Sequence, residues 1–417
     1  MKILYLNLDR GIPILGDKGA SVHVREFITA AAELGHEVVL ACPTLGEGNA
    51  PPPAHIVALD FESPGHVLEE TCAMHGLGPS ALDERMLRRE IGRLAYDRTV
   101  PERLHRALAD MDFLPDLIYE RHALFHRAGV TLASRYQVPR LLEVNSPLVE
   151  EQTRFRGLVL HQAARVAESE SYLGADHIIA VSEAVATHVR SVAKRSDNIH
   201  VMPNGVDVRR FADDSGRSKR RTLIGADETA CVIGFVGSFK PWHGTLLLLD
   251  TFCHLAAEHP AARLLAVGDG PEFQEVRARA ASSGLSARIW LTGKVPHPEI
   301  PGWISATDLM VAPYLPQEDF YFSPLKVMES LAAGKPVIAP RLGQLVQLVD
   351  HGRTGLLYPP GDAVALRAAI TRLLTQPRLA RQMGEAAQSR AASLGWDQIV
   401  RRTIALSQTT RPRVSAA

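Results

Sequence analysis

The sequence predicts an α/β protein built from two Rossmann-like, doubly wound domains. Short runs rich in branched and aromatic residues alternate with segments of helical apolar spacing, which is typical of a parallel sheet covered by helices. A polar segment, DDSGRSKRR at 213–221, interrupts this alternation once and reads as a linker. With 417 residues the chain is long enough for two domains. We therefore expect an N-terminal domain over 1–212 and a C-terminal domain over 213–395, with a ligand cleft between them at the carboxyl ends of the strands.

Each expected element follows from its local pattern. Helical spacing predicts helices over 22–34, 245–258 and 272–282. The stretch 81–111 is rich in arginine but interleaved with acids, which favours a solvated pair of helices over a membrane-binding stripe. The expected strands are 2–8, 37–41, 117–119, 140–144 and 177–181 in the first half and 231–236, 262–267, 289–292, 308–312 and 336–339 in the second.

Charge and cysteine content limit the function classes. The chain has 46 Lys+Arg and 46 Asp+Glu, so its net charge gives no sign of a nucleic-acid-binding surface. Residues 1–212 hold 23 basic and 28 acidic side chains, against 23 and 18 in 213–417, which suits an anion-binding C-terminal half; scattered solvated charge explains it almost as well. The four cysteines lie apart, no apolar run approaches the roughly 18 residues of a membrane span, and the start lacks a signal-peptide pattern. These features predict a cytoplasmic protein with reduced thiols and leave peripheral contact with a membrane surface open.

The strongest local signal is DFYFSPLKVMESLAAGKPVIAP at 319–340. Ser323 is placed to cap a helix that starts at Pro324 and ends at Gly334. The free amide groups of Leu325 and Lys326 would then form an anion site at the helix N-terminus. Glu329, one turn further on, would accept hydrogen bonds from ribose hydroxyls. A well-capped amphipathic helix with an exposed glutamate explains this segment alone equally well, so its neighbours decide.

Three further loops follow predicted strands of the same half. FVGSFKPWHG at 235–244 carries Lys240 and His243, which could neutralise a diphosphate. VGDGP at 267–271 contains Gly268 but lacks the third glycine of a dinucleotide fingerprint. The third loop is 293–295, and all three should converge with the helix start at 325.

The first half offers weaker candidates. The segment Tyr-Glu-Arg-His at 119–122 follows a strand, so Glu120 and Arg121 are favoured as functional over an ion-paired loop. His23 is an acceptor ligand or a histidine at the edge of the core, with nothing to decide between them. Asp110 and Asp112 spell D-x-D in a polar helical stretch and are interpreted as surface charge, so no metal is expected.

In this combination the segments resemble retaining glycosyltransferases of family 4, which have the GT-B fold. The matching segments appear in the family's order: MPNGVD at 202–207, FVGSFKPWHG, LLAVGDGP, GKVPHPEIPGWISATDLMVAPY, FYFSPLKVMESLAAGKPVIA and HGRTGLLYPPGD at 351–362. GDKGASVH at 16–23, with Gly16 and Gly19, resembles the family's glycine-rich loop, and ADHIIAVS at 175–182 the last strand of its first domain. The resemblance also implies a final helix, 396–407, that packs back on the N-terminal domain.

The resemblance implies roles for individual residues. Glu329 would hold the donor ribose, the amides of Leu325 and Lys326 the distal phosphate, and the loop with Val295 the base. The sequence departs from the family at four places. Ser238 and His243 stand where the family has an arginine and a lysine, which leaves Lys240 as the substitute charge; Tyr321 stands where the family has a glutamate that Glu318 or Asp319 would replace, and Asn145 where it has a histidine.

The implied activity is transfer of a hexose-type sugar from a nucleotide sugar, UDP-sugar before GDP-sugar, to an acceptor hydroxyl with retention. The acceptor would be a small molecule or a lipid-linked glycan, and no cofactor or metal is expected. Lys240, Glu120 and Asn145 are the expected catalytic residues, with His23 and Arg121 on the acceptor side. A sugar-nucleotide epimerase, a pyridoxal-phosphate-dependent phosphorylase and a non-catalytic nucleotide-sugar-binding protein remain the alternatives.

Overall fold

A computed structural model describes residues 1–317 and 320–409. The chain divides into two compact units. The first unit comprises Met1–Pro203, Tyr321–Ser323 and the residues from Asp397 onward, and the second comprises Asn204–Phe320 and Pro324–Trp396. The division thus falls after residue 203, where the sequence suggested 212, and the final helix from residue 397 belongs to the first unit.

A seven-stranded parallel sheet forms the first unit, in the order β3-β2-β1-β4-β5-β6-β7. Chain order therefore reverses between β1 and β4, which is the switch point where doubly wound sheets bind ligands. Strands β4 and β5 are buried along their whole length, because helices cover both faces. The strands are β1 Lys2–Asn7, β2 Glu37–Cys42, β3 His55–Ala58, β4 Leu117–Arg121, β5 Arg140–Val144, β6 His177–Ala180 and β7 Ile199–Val201.

The helices of the first unit include one that differs from the prediction. The stretch predicted as a helix pair is a single 26-residue helix, α3, with Pro101 inside it. Its apolar stripe, including Leu94 and Leu104, is fully or almost fully buried, and this burial holds one continuous helix where the charge pattern suggested two solvated ones. The helices are α1 Gly19–Glu33, α2 Gly65–Met74, α3 Arg85–Asp110, α4 Ala128–Tyr136, α5 Leu148–Phe155, α6 His161–Leu173 and α7 Glu183–Ala193.

A second parallel sheet of six strands forms the second unit, in the order β10-β9-β8-β11-β12-β13. Its switch point lies between β8 and β11. The expected strand 231–236 and helix 245–258 form with those bounds, since each is a buried apolar run between turn residues. The strands are β8 Cys231–Val236, β9 Ala262–Val267, β10 Ile289–Leu291, β11 Leu309–Val311, β12 Val337–Pro340 and β13 Gly355–Tyr358.

The segment predicted as a linker is helical and anchored. Arg217 donates to the Asp308 carboxylate at 2.6 Å and Arg221 to its other oxygen at 3.0 Å, and both also bind carbonyl groups near residue 306. A partner almost 90 residues away in sequence thus overrides the polar composition. The helices are α8 Val208–Ala212, α9 Arg217–Leu223, α10 Thr245–Glu258, α11 Phe273–Ser282, α12 Ile300–Ser305, α13 Leu325–Ala332, α14 Leu345–Leu348, α15 Ala363–Thr375, α16 Pro377–Ala391 and α17 Trp396–Gln408. Across the described residues, none of these helices is both long and apolar enough to span a membrane.

Candidate functional site

A buried carboxylate, that of Glu143, organises the switch point of the first unit. Its Oε2 atom lies 2.7 Å from Nε2 of His23 on α1, and its Oε1 atom accepts from Nη1 of Arg121 at 2.5 Å. Tyr119 and Asn145 also donate to this carboxylate. Three residues singled out from the sequence, His23, Arg121 and Asn145, therefore meet at a fourth that was not.

The charge of Glu143 is stabilised by these partners. Burial would raise the pKa of its carboxyl, but the charges of His23 and Arg121 and the hydrogen bonds from His23 and Asn145 outweigh burial and hold the pKa far below its usual range. The side chain is 1% exposed, so loss of one partner would leave a buried charge uncompensated. A glutamate in the otherwise apolar end of strand RLLEV is the signal that could have revealed it, because such a strand is expected to be buried on both faces.

Glu120 points to the opposite face of the sheet. Neighbours along a strand alternate between faces, so Tyr119 and Arg121 face Glu143 while Glu120 does not. Its carboxylate accepts from Nε of Arg140 at 2.6 Å, and both side chains are almost fully buried. Arg140 also donates to the carbonyl and hydroxyl of Ser171. Within the first unit, Glu120 therefore does not join Asn145 at the Glu143 cluster, and its surroundings are those of a structural ion pair.

The side chain of Arg25 binds the backbone of the glycine-rich loop before α1. Its Nη1 atom donates to the carbonyl groups of Ile14, at 2.5 Å, and Gly16, at 2.7 Å. Gly19 is the first residue of α1, which has no side-chain cap. The loop leads directly into α1, the helix that supplies His23 to the Glu143 cluster.

In the second unit three loops after neighbouring strands pack side by side. The amide of Gly237 donates to the Val267 carbonyl at 2.9 Å, and the amide of Gly268 to the Gly293 carbonyl at 3.0 Å. Gly268 has φ 129°, and a Cβ atom there would lie 2.0 Å from the Gly237 carbonyl oxygen, so only glycine fits. Half-buried Val295 is the last residue of the third loop. The convergence predicted for these loops is present.

Helix α13 begins one residue later than predicted. The N-cap position, expected at Ser323, is occupied by Pro324, whose side chain makes no capping hydrogen bond. Pro324 has the extended ψ of 104°, which places the first helical residue at Leu325. The amide groups of Leu325 and Lys326 lie in the first turn, where a helix offers them no carbonyl partner. The expected end is correct, since Gly334 follows the C-cap with φ 66°.

Glu329 lies one turn further along α13 and is paired with a histidine. Its Oε1 atom is 2.9 Å from Nε2 of His297, which follows the loop after β10. The Glu329 side chain is 9% exposed and that of His297 13% exposed. The pair therefore joins the helix start to the third loop and fixes the direction of the carboxylate.

The side chain of Lys326 lies at the switch point between β8 and β11. Its Nζ atom is 4.7 Å from the ring centre of Phe235, the fifth residue of β8, and 4.9 Å from that of Tyr314, which follows β11. The Nζ atom is buried and has no hydrogen-bond partner among the described residues. Burial lowers the pKa of this amine to about 7, although Glu329 acts to raise it. From the sequence, only the backbone amide of Lys326 was expected to bind the donor phosphate.

Lys240 and His243, the two cations expected in the loop after β8, do not occupy the switch point where the Lys326 amine lies. Lys240 is exposed, and its Nζ atom lies 4.9 Å from the ring centre of Trp242. His243 is hydrogen-bonded through Nδ1 to the Ser238 carbonyl. Burial, then the charge of Lys326, lower the pKa of His243 to about 3, so its imidazole is neutral near pH 7. In the free protein His243 therefore carries no positive charge, and its expected role toward a diphosphate stays a prediction.

The remaining predicted residues lie elsewhere. Tyr321 packs against the apolar core of the first unit, and its carbonyl accepts from the Ser182 hydroxyl at 2.8 Å. Buried Ser323 belongs to that unit too, whereas Glu318 and Asp319 lie outside the described residues. Asp110 and Asp112 are exposed at the end of α3, as expected for surface charge. Within residues 1–317 and 320–409, no three His, Cys, Asp or Glu side chains are arranged to hold a metal ion.

Comparison with known families matches both halves of the chain. A model described as Glycosyltransferase Family 4 matches residues 18–210, and one described as Glycosyl transferases group 1 matches residues 230–376. Together they span both Rossmann-like sheets. Each half of the chain thus matches a glycosyltransferase family model. The two parallel sheets confirm the fold class expected from the sequence.

Several glycosyltransferases resemble it along much of their length. The D-inositol 3-phosphate glycosyltransferase of Streptomyces bingchenggensis is 28% identical over 295 residues, 68% of this chain and 64% of that enzyme, so the alignment spans just under two thirds of the relative. The enzyme of that name from Pseudarthrobacter chlorophenolicus is 26% identical over 93% of this chain and 89% of its own. In fold, the crystal structure of Anabaena HepE with UDP and glucose matches 99% of this chain and all of that chain, with 20% identity and a TM-score of 0.68.

Proposed function

We propose that this protein transfers a hexose-type sugar from a nucleoside-diphosphate sugar to an acceptor hydroxyl, with retention of configuration and without a metal ion. The observation that carries the proposal is the Glu329–His297 pair at 2.9 Å, one turn along α13 from the first-turn amides of Leu325 and Lys326. A fixed carboxylate and a set of free amide groups match the two ends of a ribose-diphosphate.

The donor would lie along the second unit. Glu329 would accept hydrogen bonds from the ribose hydroxyls while His297 holds its other side, and the loop with Val295 would contact the base. The amides of Leu325 and Lys326 would bind the distal phosphate. We favour UDP-sugars over GDP-sugars, in line with the UDP and glucose named for the Anabaena structure.

The acceptor would be bound at the first unit, near the Glu143 cluster. Asn145, at the exposed edge of that cluster, and His23 are the candidates to contact the acceptor hydroxyl. Arg121 would hold Glu143 in place, since its guanidinium is occupied there. The related enzymes named for D-inositol 3-phosphate make a phosphorylated polyol the first acceptor to try.

In the reaction the bond between the anomeric carbon and the distal phosphate oxygen breaks, and its electron pair stays on that oxygen. The acceptor oxygen then bonds the same carbon from the same face, and its proton passes to the departing phosphate. Negative charge grows on the diphosphate during this step, so amide groups fixed at the start of α13 would stabilise the transition state more than the ground state.

The test is a panel of UDP-, GDP-, ADP- and dTDP-sugars with D-inositol 3-phosphate, other polyol phosphates and lipid-linked acceptors. Nucleotide release and acceptor mass are measured together, and the product anomer is read by NMR. Release coupled to a glycosylated acceptor with the donor's anomeric configuration supports the proposal. Conversion of the donor sugar without acceptor would identify an epimerase, and donor binding without any turnover a non-catalytic protein.

A further inference from the structure

The amine of Lys326 is buried at a place that its described neighbours do not explain. It is buried between two aromatic rings at the switch point, with no hydrogen-bond acceptor among the described residues. Burying an amine without a partner costs free energy. Such a group persists where a ligand that is absent from the free protein completes it.

A second observation concerns the loop beside it. A Cβ atom on Gly237 would lie 2.5 Å from Lys326 Nζ, so the amine touches the loop that the diphosphate is expected to approach. That loop places little positive charge near the Lys326 amine. Ser238 is uncharged, His243 is neutral in the free protein, and Lys240 is exposed with its Nζ atom over the Trp242 ring. The first-turn amides of α13 carry only partial charges.

We infer that the side chain of Lys326 is the cation that binds the diphosphate of the donor, in place of the arginine and lysine at whose positions the loop after β8 has Ser238 and His243. The inference rests on the proposed function and assigns the charge compensation within it. The ammonium group and the amides of Leu325 and Lys326 would then bind the same diphosphate at the start of α13. Lys326 would then stabilise the leaving diphosphate as the glycosidic bond breaks.

Protonation follows from the same geometry. With a pKa of about 7 the amine of the free protein is largely unprotonated at pH 8, whereas an adjacent diphosphate favours the charged form. Binding should therefore take up a proton, and affinity should fall as the pH rises above 7. Among the described residues, the other titratable groups near this point are Glu329 with its partner His297, and His243 from the loop after β8; the pKa of His243 is about 3 in the free protein. Lys240 belongs to the same loop but is exposed, with its Nζ atom over the Trp242 ring.

A purely structural lysine is available for comparison in the same unit. The Nζ atom of Lys335 donates to the carbonyl groups of Ser305, at 2.9 Å, and Thr307, at 2.8 Å. Burial lowers its pKa too, to about 8, but its hydrogen bonds are complete within the protein. Lys335 therefore shows how a buried lysine behaves when its role is to hold the fold.

The experiment compares Lys326→Met, Lys335→Met and Lys240→Met in the full-length protein, with UDP and GDP as probes in calorimetry at pH 7.0. Lys326→Met should weaken nucleotide binding roughly 10- to 100-fold, the usual loss for a hydrogen bond to a charged group, without lowering the unfolding temperature. Lys335→Met should show the reverse, with lower stability and unchanged affinity. A Lys326→Met protein that unfolds at lower temperature but binds like wild type would make Lys326 a structural residue and overturn the inference.

The pH dependence supplies a second readout. Between pH 7 and 9, where UDP keeps its charge, wild-type affinity should fall about tenfold per pH unit, and calorimetry in buffers of different ionisation enthalpy should show proton uptake. Lys326→Met should bind weakly with neither effect. If Lys240→Met abolishes the pH dependence instead, the charge belongs to Lys240. If wild type binds none of UDP, GDP, ADP and dTDP, the proposed function fails. If wild type and Lys326→Met bind a nucleotide equally tightly, only the inference about Lys326 fails.

Discussion

Nε2 of His23 lies 2.7 Å from Oε2 of Glu143, and this contact ties α1 to the centre of the first sheet. The same carboxylate binds Arg121 at the end of β4 and Asn145 just beyond β5. A single buried charge thus positions groups from three elements at the carboxyl ends of the strands, where a doubly wound sheet binds its ligands.

Glu143→Gln should destabilise the first unit by about 3–5 kcal/mol, because it leaves the Arg121 guanidinium buried without a counter-charge. The double variant Glu143→Leu with Arg121→Met should be less destabilised than Glu143→Leu alone. All four tryptophans lie in the second unit, so the measurement is hydrogen exchange of peptides from β4 and β5. Equal protection in Glu143→Gln and wild type would contradict the prediction.

His23→Gln should lower kcat/KM for the acceptor and leave the Kd of the nucleotide unchanged, because His23 belongs to the first unit. Glutamine keeps a hydrogen bond to Glu143 but not the imidazole. Acceptor kinetics at saturating donor, with nucleotide calorimetry alongside, provide the measurement. A weakened nucleotide Kd with unchanged acceptor kinetics would assign His23 to the donor instead.

Glu329→Gln should weaken UDP or GDP binding by roughly 1–3 kcal/mol, the cost of replacing a charged hydrogen-bond acceptor. The matched control is on the ligand: 2′-deoxy- and 3′-deoxynucleotides lack one ribose hydroxyl each. Calorimetry should therefore show a smaller effect of the substitution on a deoxynucleotide than on the parent. An undiminished effect on both would mean that the carboxylate acts through His297 or Lys326 and not on the ribose.

Elements of regular structure were predictable where the cause is local. The strand 231–236 and the helix 245–258 are apolar runs with turn residues at their ends, and both formed with the expected bounds. The helix α9 was not foreseen, because Asp308, which anchors Arg217 and Arg221, is distant in sequence. Composition alone cannot supply such a partner.

For the site, motif position indicated which loops meet but not where side chains point. Lys326 was read as a backbone amide, since nothing in FSPLK shows that its side chain turns toward Phe235 and Tyr314. Lys240 was favoured for its charge and proved to be exposed. Glu143 was overlooked although three of its four partners were candidate site residues, because a shared carboxylate becomes visible only when α1, β4 and β5 are assembled.

Turnover should survive removal of divalent ions. The helix amides and a lysine ammonium would supply the positive potential that a metal ion supplies in metal-dependent glycosyltransferases. The measurement is initial rate after exhaustive treatment with EDTA, with added Mg²⁺ or Mn²⁺ as the control. Complete loss that either ion restores would require a metal and return attention to Asp110 and Asp112.

Two neighbouring histidines of the first unit should respond to acid in opposite directions. His122 is buried beside Tyr172 with neither ring nitrogen partnered among the described residues, and burial lowers its pKa to about 4. His188 is partly desolvated as well, but Glu168, at 3.2 Å from its Nε2 atom, and Glu150 raise its pKa. The pKa of one histidine is thus lowered and that of the other raised.

The signs follow from proton linkage. Below pH 6.5 the His122 imidazole takes up a proton in the unfolded chain but stays neutral in the folded protein. Wild type therefore loses about 2 kcal/mol of stability through His122 between pH 7 and pH 5. His122→Leu should remove that loss and become more stable relative to wild type as the pH falls. The contribution of His188 is present below pH 6.5 and disappears as the pH rises through its folded pKa, so His188→Gln should be more harmful at pH 5 than at pH 8. Hydrogen exchange of β4 and β6 at both pH values, corrected for intrinsic rates, measures the two differences; shifts of the same sign in both variants would contradict the assignment.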